Sequence, residues 1–197
     1  MIKAIETEYK GYKFRSRLEA RWAVFFDAMN IKYQYEPEGF DLDGTYYLPD
    51  FYLTEYEIYV EIKPFDRSVV HHIGDGNKWE QKCALFRDVT ENAILLCYDE
   101  PASDLFRLLF AWDMSDGSAG SSEWTAFFSE KGLLLHPSSH DIFIHDMWGT
   151  NSHIRCASQE EWEDLFLPYD PDGDDFLNRA KTKARQARFE HGEKPII

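Results

Sequence analysis

Glu19, Asp50, Glu61 and Lys63 are three acids and an amine drawn from 45 positions of a 197-residue chain, and their types suit the hydrolysis of a phosphodiester bond. That reaction needs an activated water, stabilisation of charge on the phosphorus oxygens and help for the departing oxyanion, and bound Mg²⁺ or Mn²⁺ supplies all three. Mg²⁺ prefers oxygen ligands, keeps several waters and takes one or two protein carboxylates. Asp50 and Glu61 are therefore suited as primary ligands, with the backbone carbonyl of Ile62 as a third. Lys63 would orient the attacking water or neutralise the scissile phosphate. Glu19 would bind a second metal or hold a metal-bound water.

The elements that must position these groups are legible from periodicity. Side chains on a strand alternate faces, so Ile58, Val60 and Ile62 point one way and Tyr59, Glu61 and Lys63 the other, which predicts one core face and one face carrying a carboxylate beside an amine. Asp50 closes the aromatic run Tyr46-Tyr47-Leu48-Pro49, predicted as part of a neighbouring strand near 46–53, and a hairpin through Thr54-Glu55-Tyr56 would bring Asp50 to Glu61. Ser16 to Met29 reads as an amphipathic helix with Leu18, Trp22, Phe25, Phe26 and Met29 on one arc and Glu19 at its margin, half inside. A strand over Ile31 to Glu36, a helix over Asn77 to Asp88 and a buried-type strand over Ala93 to Tyr98 complete the first half.

Each group also has a structural explanation. Ser16-Arg17-Leu18-Glu19 is an S-x-x-E capping box, in which Glu19 bonds back to the amide of Ser16, and Arg15 lies within i,i+4 reach of it. Glu61 and Lys63 could be an exposed charge pair, and Asp50 after proline a turn residue. Their joint order, with a matching strand pattern, favours the catalytic reading.

The strings Phe14-Arg15-Ser16-Arg17-Leu18-Glu19-Ala20-Arg21-Trp22, Tyr47-Leu48-Pro49-Asp50-Phe51 and Glu61-Ile62-Lys63 resemble the PD-(D/E)xK nuclease superfamily. More narrowly they are similar to small nucleases encoded by phages and prophages, and the spacing resembles the junction-resolving endonuclease I of lytic phages and transposon end-cleaving endonucleases. The resemblance covers about residues 10–98. It implies an α/β, restriction-endonuclease-like mixed sheet flanked by helices, a catalytic set of Glu19, Asp50, Glu61 and Lys63, and Mg²⁺ as the metal. It also implies DNA as substrate, RNA as the other nucleic acid to consider, and a host cytoplasm for a phage-encoded chain.

Composition agrees with a folded protein: 44% apolar and 16% aromatic residues, with three widely spaced cysteines (Cys83, Cys97, Cys156) that suggest no disulfide framework and fit a reducing cytoplasm. No window approaches the ~20 apolar residues of a membrane span. The net charge of −15 is unevenly spread. Residues 1–98, expected as the nuclease core, hold 17 acids and 12 bases, whereas 99–177 hold 17 acids and 3 bases, and 178–197 hold 2 acids and 6 bases. The middle segment is expected as an acidic α+β elaboration, with a helix around Ser103 to Trp112, a Gly/Ser loop over Asp116 to Ser122, strands near Glu123–Ser129, Leu133–His136 and Ile142–His145, and a helix over Ser158 to Phe166. Trp112, Trp124, Trp148 and Trp162 read as its core.

The tail from Asp174 to His191 is expected as a basic helix. Its Arg179, Lys181, Arg185 and Arg188, together with Arg15, Arg17 and Arg21 beside the candidate site, are candidate phosphate contacts, against the reading that both clusters are solvated faces or that the tail folds on the acidic middle. His71-His72 reads as a loop flap or plain surface, and a zinc site through His136, His140, His145, His153 and Cys156 fits no standard spacing. A homodimer would let two sites cut both strands. The rival functions are an acidic DNA mimic that inhibits a host protein through 99–177, and a nuclease-like fold that binds without cutting.

Overall fold

The computed structural model describes residues 5–64, 78–101, 106–113, 119–136, 154–164 and 176–189. In chain order the elements are β1 (Thr7–Tyr9), β2 (Tyr12–Phe14), α1 (Arg17–Ala28), β3 (Tyr33–Tyr35), β4 (Phe40–Leu42), β5 (Thr45–Tyr47), β6 (Phe51–Leu53) and β7 (Ile58–Lys63). After these come α2 (Lys78–Thr90), β8 (Ile94–Tyr98), β9 (Phe106–Asp113), β10 (Ala119–Ser129), β11 (Gly132–Leu135), β12 (Arg155–Cys156), α3 (Gln159–Asp164) and α4 (Phe176–Gln186). Eight strands form one mixed sheet in the order β12-β11-β10-β9-β8-β7-β6-β3, flanked by helices. The pair β7 and β8 is parallel, with α2 in the connection between them, as a parallel pair requires.

Both faces of the sheet are covered. Ile58, Val60 and Ile62 of β7 join Trp22, Phe25 and Phe26 of α1 in the main core, along with Ala180 and Ala184 of α4. On the other face Tyr59, Ile94, Leu96 and Leu109 meet Cys83 and Phe86 of α2 and Leu42 and Tyr47 of the β4–β5 hairpin. Each large side chain fully buried this way contributes about 1.5–3 kcal/mol of transfer free energy. This corrects the expectation that β7 has one core face. Its pattern is buried at five consecutive positions, so Glu61 lies under a second layer.

Three further expectations are overturned. Residues 106–113 are a strand, not part of a helix: Phe106-Arg107-Leu108-Leu109-Phe110 is apolar on both faces of a central strand, which leaves no period to read, and pairing with β8 and β10 decides. Ala119 to Ser122, expected in a loop, extend β10 through that same pairing. The run 46–53 is two strands, broken at Leu48-Pro49-Asp50, with β5 turned back onto β4 through Asp43 and Gly44, both at positive φ.

The sheet also runs across the expected boundary at residue 98. Strands β9 to β11 bury Phe106, Leu108, Phe128, Leu133 and Leu135 in the same core as α1. Tyr56, in the turn between β6 and β7, bridges the same boundary: its hydroxyl accepts from the amide of Leu133 at 3.2 Å. Trp124 packs on Phe110 at 4.4 Å and Trp162 on Phe127 at 5.6 Å, as their core reading expects. The expectations for His71-His72, for a strand at Ile142–His145, for Trp148 and for the side chain of Trp112 lie outside the described residues.

Candidate active site

Pro49 has no amide to give to a ladder, and pairing between β6 and β7 stops at Phe51 with Val60. The next inward-pointing amide on β7, that of Ile62, is instead taken by the side chain of Asp50, whose Oδ2 accepts it at 2.7 Å. A carboxylate thus completes the end of the β6–β7 ladder where the backbone cannot, and this holds Asp50 beside Glu61. Asp50 is 1% exposed and Glu61 5%, so neither is the surface charge or turn residue of the structural reading.

Lys63 completes the group. Its Nζ lies 2.5 Å from Glu61 Oε1, 3.5 Å from Asp50 Oδ2 and 3.1 Å from the carbonyl oxygen of Ile62. The three oxygens proposed from sequence as metal ligands therefore surround one cation in the folded chain. Glu61 Oε2 accepts from the hydroxyl of Tyr47 at 2.8 Å, and that hydroxyl stands 3.5 Å from Cys83 Sγ. Asp50 Oδ1 accepts from Arg15 Nη2 at 2.8 Å, while Arg15 Nε pairs with Glu36 at 2.5 Å.

Glu19 is buried in the first turn of α1. Its carboxylate accepts from the Ser16 hydroxyl at 2.7 Å, the Arg15 amide at 3.1 Å and the Tyr35 hydroxyl at 2.6 Å, and Ser16 Oγ accepts the Glu19 amide at 3.2 Å. The capping box is real, with the amide of Arg15 in place of that of Ser16 as the donor. The amide of Arg15 bonds Glu19 and its guanidinium bonds Asp50, and the charge of Glu19 is itself among the causes that raise Asp50. Among the described residues no three His, Cys, Asp or Glu side chains are grouped closely enough to hold a metal; His140, His145 and His153 of the zinc arrangement lie outside the described residues.

Two carboxylates and a carbonyl nonetheless fit Mg²⁺, which fills its remaining positions with water. The charge balance fits as well. Among the described residues Glu19, Glu36, Asp50 and Glu61 are linked to Arg15 and Lys63, two more carboxylates than cations. Burial, and after it the charge of Glu61, pushes Asp50 up to about 7. For Lys63 burial acts to lower the pKa, and the charges of Asp50 and Glu61 outweigh it and hold the ammonium above its ordinary value. A divalent cation would relieve the same excess that raises Asp50.

Sequence reasoning missed Tyr47 and Tyr35, the hydroxyls that hold Glu61 and Glu19, and the bond from Arg15 to Asp50. No spacing signal marks a tyrosine as the partner of a carboxylate 14 or 16 positions away. Of the basic candidates, Arg17, Arg21, Arg185 and Arg188 line one cleft, whereas Arg179, which lies over the ring of Phe176, and Lys181 are not in its lining. The chain matches no family model, no curated protein and no solved structure.

Proposed function

We propose that this protein is a metal-dependent endonuclease that hydrolyses DNA phosphodiester bonds on a restriction-endonuclease-like sheet. The observation that carries the reading is the oxygen set of Asp50, Glu61 and the Ile62 carbonyl around Lys63 Nζ, buried and richer in negative charge than its own cations neutralise. Those three oxygens would hold Mg²⁺ or Mn²⁺, which supplies Lewis-acid stabilisation of the phosphoryl oxygens and a more acidic water.

The chain's own residues have separable tasks. Tyr47 fixes Glu61 by occupying one carboxylate oxygen and leaving the other facing Lys63. The Ile62 amide and Arg15 fix Asp50 from two sides. Lys63, a third exposed at its side chain, is the member of the group that meets solvent, and its ammonium would neutralise a non-bridging phosphate oxygen or orient the attacking water. Glu19 orients the backbone at Arg15 and is a positioning residue in this account.

Incubating the purified protein with supercoiled, linear and branched DNA plus Mg²⁺ or Mn²⁺ tests the reading. Cleavage by the wild type and a loss of roughly 100-fold or more in Asp50→Ala and Lys63→Ala is expected. Equal cleavage by all three proteins, or none by the wild type on any substrate, would refute it.

A further inference from the structure

The two basic clusters, 160 positions apart in the chain, meet. α4 buries Ala180 and Ala184, four residues apart, and Ala187 just beyond its end, and small side chains let it lie close on the main core beside α1. That docking sets Arg185 and Arg188 opposite Arg17 and Arg21, which share a face of α1 by their own i,i+4 spacing. The four guanidiniums line one cleft of about 780 Å³, which Gln186 and Phe189 also border.

Like charges gathered this way repel, and two of the four, Arg185 and Arg188, are left uncompensated by any ion pair among the described residues. Arg21 pairs with Glu100, yet its Nε is buried without a hydrogen-bond partner among the described residues. In a chain of net charge −15, a concentration of cations at one place is what a polyanion would be drawn to. Guanidinium forks match phosphate oxygens two at a time. The lining of the cleft includes Arg17, two residues along the chain from the Arg15 that bonds Asp50.

We propose that this cleft binds the sugar–phosphate backbone of DNA, holding the strand next to the site. The proposal takes its direction from the nuclease reading, but its test needs no cleavage. Fluorescence anisotropy of a labelled duplex in EDTA, between about 50 and 200 mM salt, compares the wild type with Arg185→Gln/Arg188→Gln, Arg185→Lys/Arg188→Lys and Glu100→Gln. The glutamine pair is expected to weaken binding about tenfold or more and to flatten the dependence of log affinity on log salt by about 2. The lysine pair keeps the charge and should keep the slope. Removing Glu100 should tighten binding severalfold, a change in the opposite sense that damage to the fold cannot produce.

Unchanged affinity and slope in the glutamine pair, with a lowered melting temperature, would show that the arginines serve the negative end of α4 or an acidic part of the chain itself, and would overturn the proposal. So would a wild type that binds RNA and not DNA. Binding through the cleft without cleavage under any metal would refute the nuclease reading and leave this inference standing. Cleavage that the glutamine pair leaves untouched would do the reverse.

Discussion

Tyr47 is the side chain on which the geometry of Glu61 turns. Its hydroxyl occupies one oxygen of a buried carboxylate, and burial holds the phenol far above its ordinary pKa, so it stays a donor throughout the working range. Tyr47→Phe removes one oxygen atom and no packing. Mn²⁺ affinity measured by calorimetry should fall about 10- to 100-fold, as for other groups that orient a metal ligand, while stability falls by about 1.5–3 kcal/mol, the worth of a hydrogen bond to a charged group. Unchanged affinity would remove Tyr47 from the account. Asp50 supplies a pH dependence. Because burial and the charge of Glu61 raise it from 3.8 to about 7, the folded protein binds this proton more tightly than the unfolded chain. In metal-free buffer its contribution to stability is therefore present below pH 3.8 and is lost as pH rises toward about 7. Ligation needs the carboxylate, so Mn²⁺ binding should release a proton and weaken about tenfold per unit below pH 7. A pH-independent affinity between 5.5 and 7.5 would mean that Asp50 is already ionised or is no ligand.

At the scale of elements, the turn between β10 and β11 shows how the middle of the chain is tied to the motif hairpin. Gly132 has φ +101°, and a Cβ there would lie 2.1 Å from the Tyr56 hydroxyl, which caps the amide of Leu133. Gly132→Ala thus combines a strained backbone with a displaced buried tyrosine, and chemical denaturation should show a loss of about 2 kcal/mol or more. A change within 0.5 kcal/mol would mean that the two turns are not coupled. The same elements show what was legible in the chain. β7 could be read because its residue types alternate in the sequence, Ile58, Val60 and Ile62 against Tyr59, Glu61 and Lys63, and Pro64 stops them, although its burial does not alternate; α1 could be read because its apolar arc and S-x-x-E start agree. β9 could not, since a strand buried on both faces has lost its period. The β1–β2 and β4–β5 hairpins carry their signal in Lys10-Gly11 and Asp43-Gly44, at positive φ, but strands of three residues are too short to show alternation. The link from Glu19 through Arg15 to Asp50 is made by tertiary packing, and no residue in α1 states it.

For the whole molecule, charge and topology describe one arrangement. The described part of the acidic middle shares the main core through Phe106, Leu108, Phe128, Leu133 and Leu135, and gathers Phe127, Leu134, Ala157 and Trp162 in a small cluster of its own. Its strands extend the sheet that carries Asp50 and Glu61, and its helix α3 is fixed by Ser158 and by Glu161, whose carboxylate Arg155 and Lys131 hold well below the usual range. The basic tail closes on the opposite layer, against α1. Among the described residues no helix is long and apolar enough to cross a membrane. What unites these parts is a site at the end of the β6–β7 ladder, inside the sheet, formed where Pro49 ends the pairing and a carboxylate completes it. The most direct measurement is the anomalous difference density of a crystal soaked in Mn²⁺. The account expects a peak bonded to Asp50, Glu61 and the Ile62 carbonyl, with Lys63 Nζ moved out of the oxygen set it now occupies. Lys63 still seated among those oxygens at saturating Mn²⁺, with no peak beside them, would contradict it.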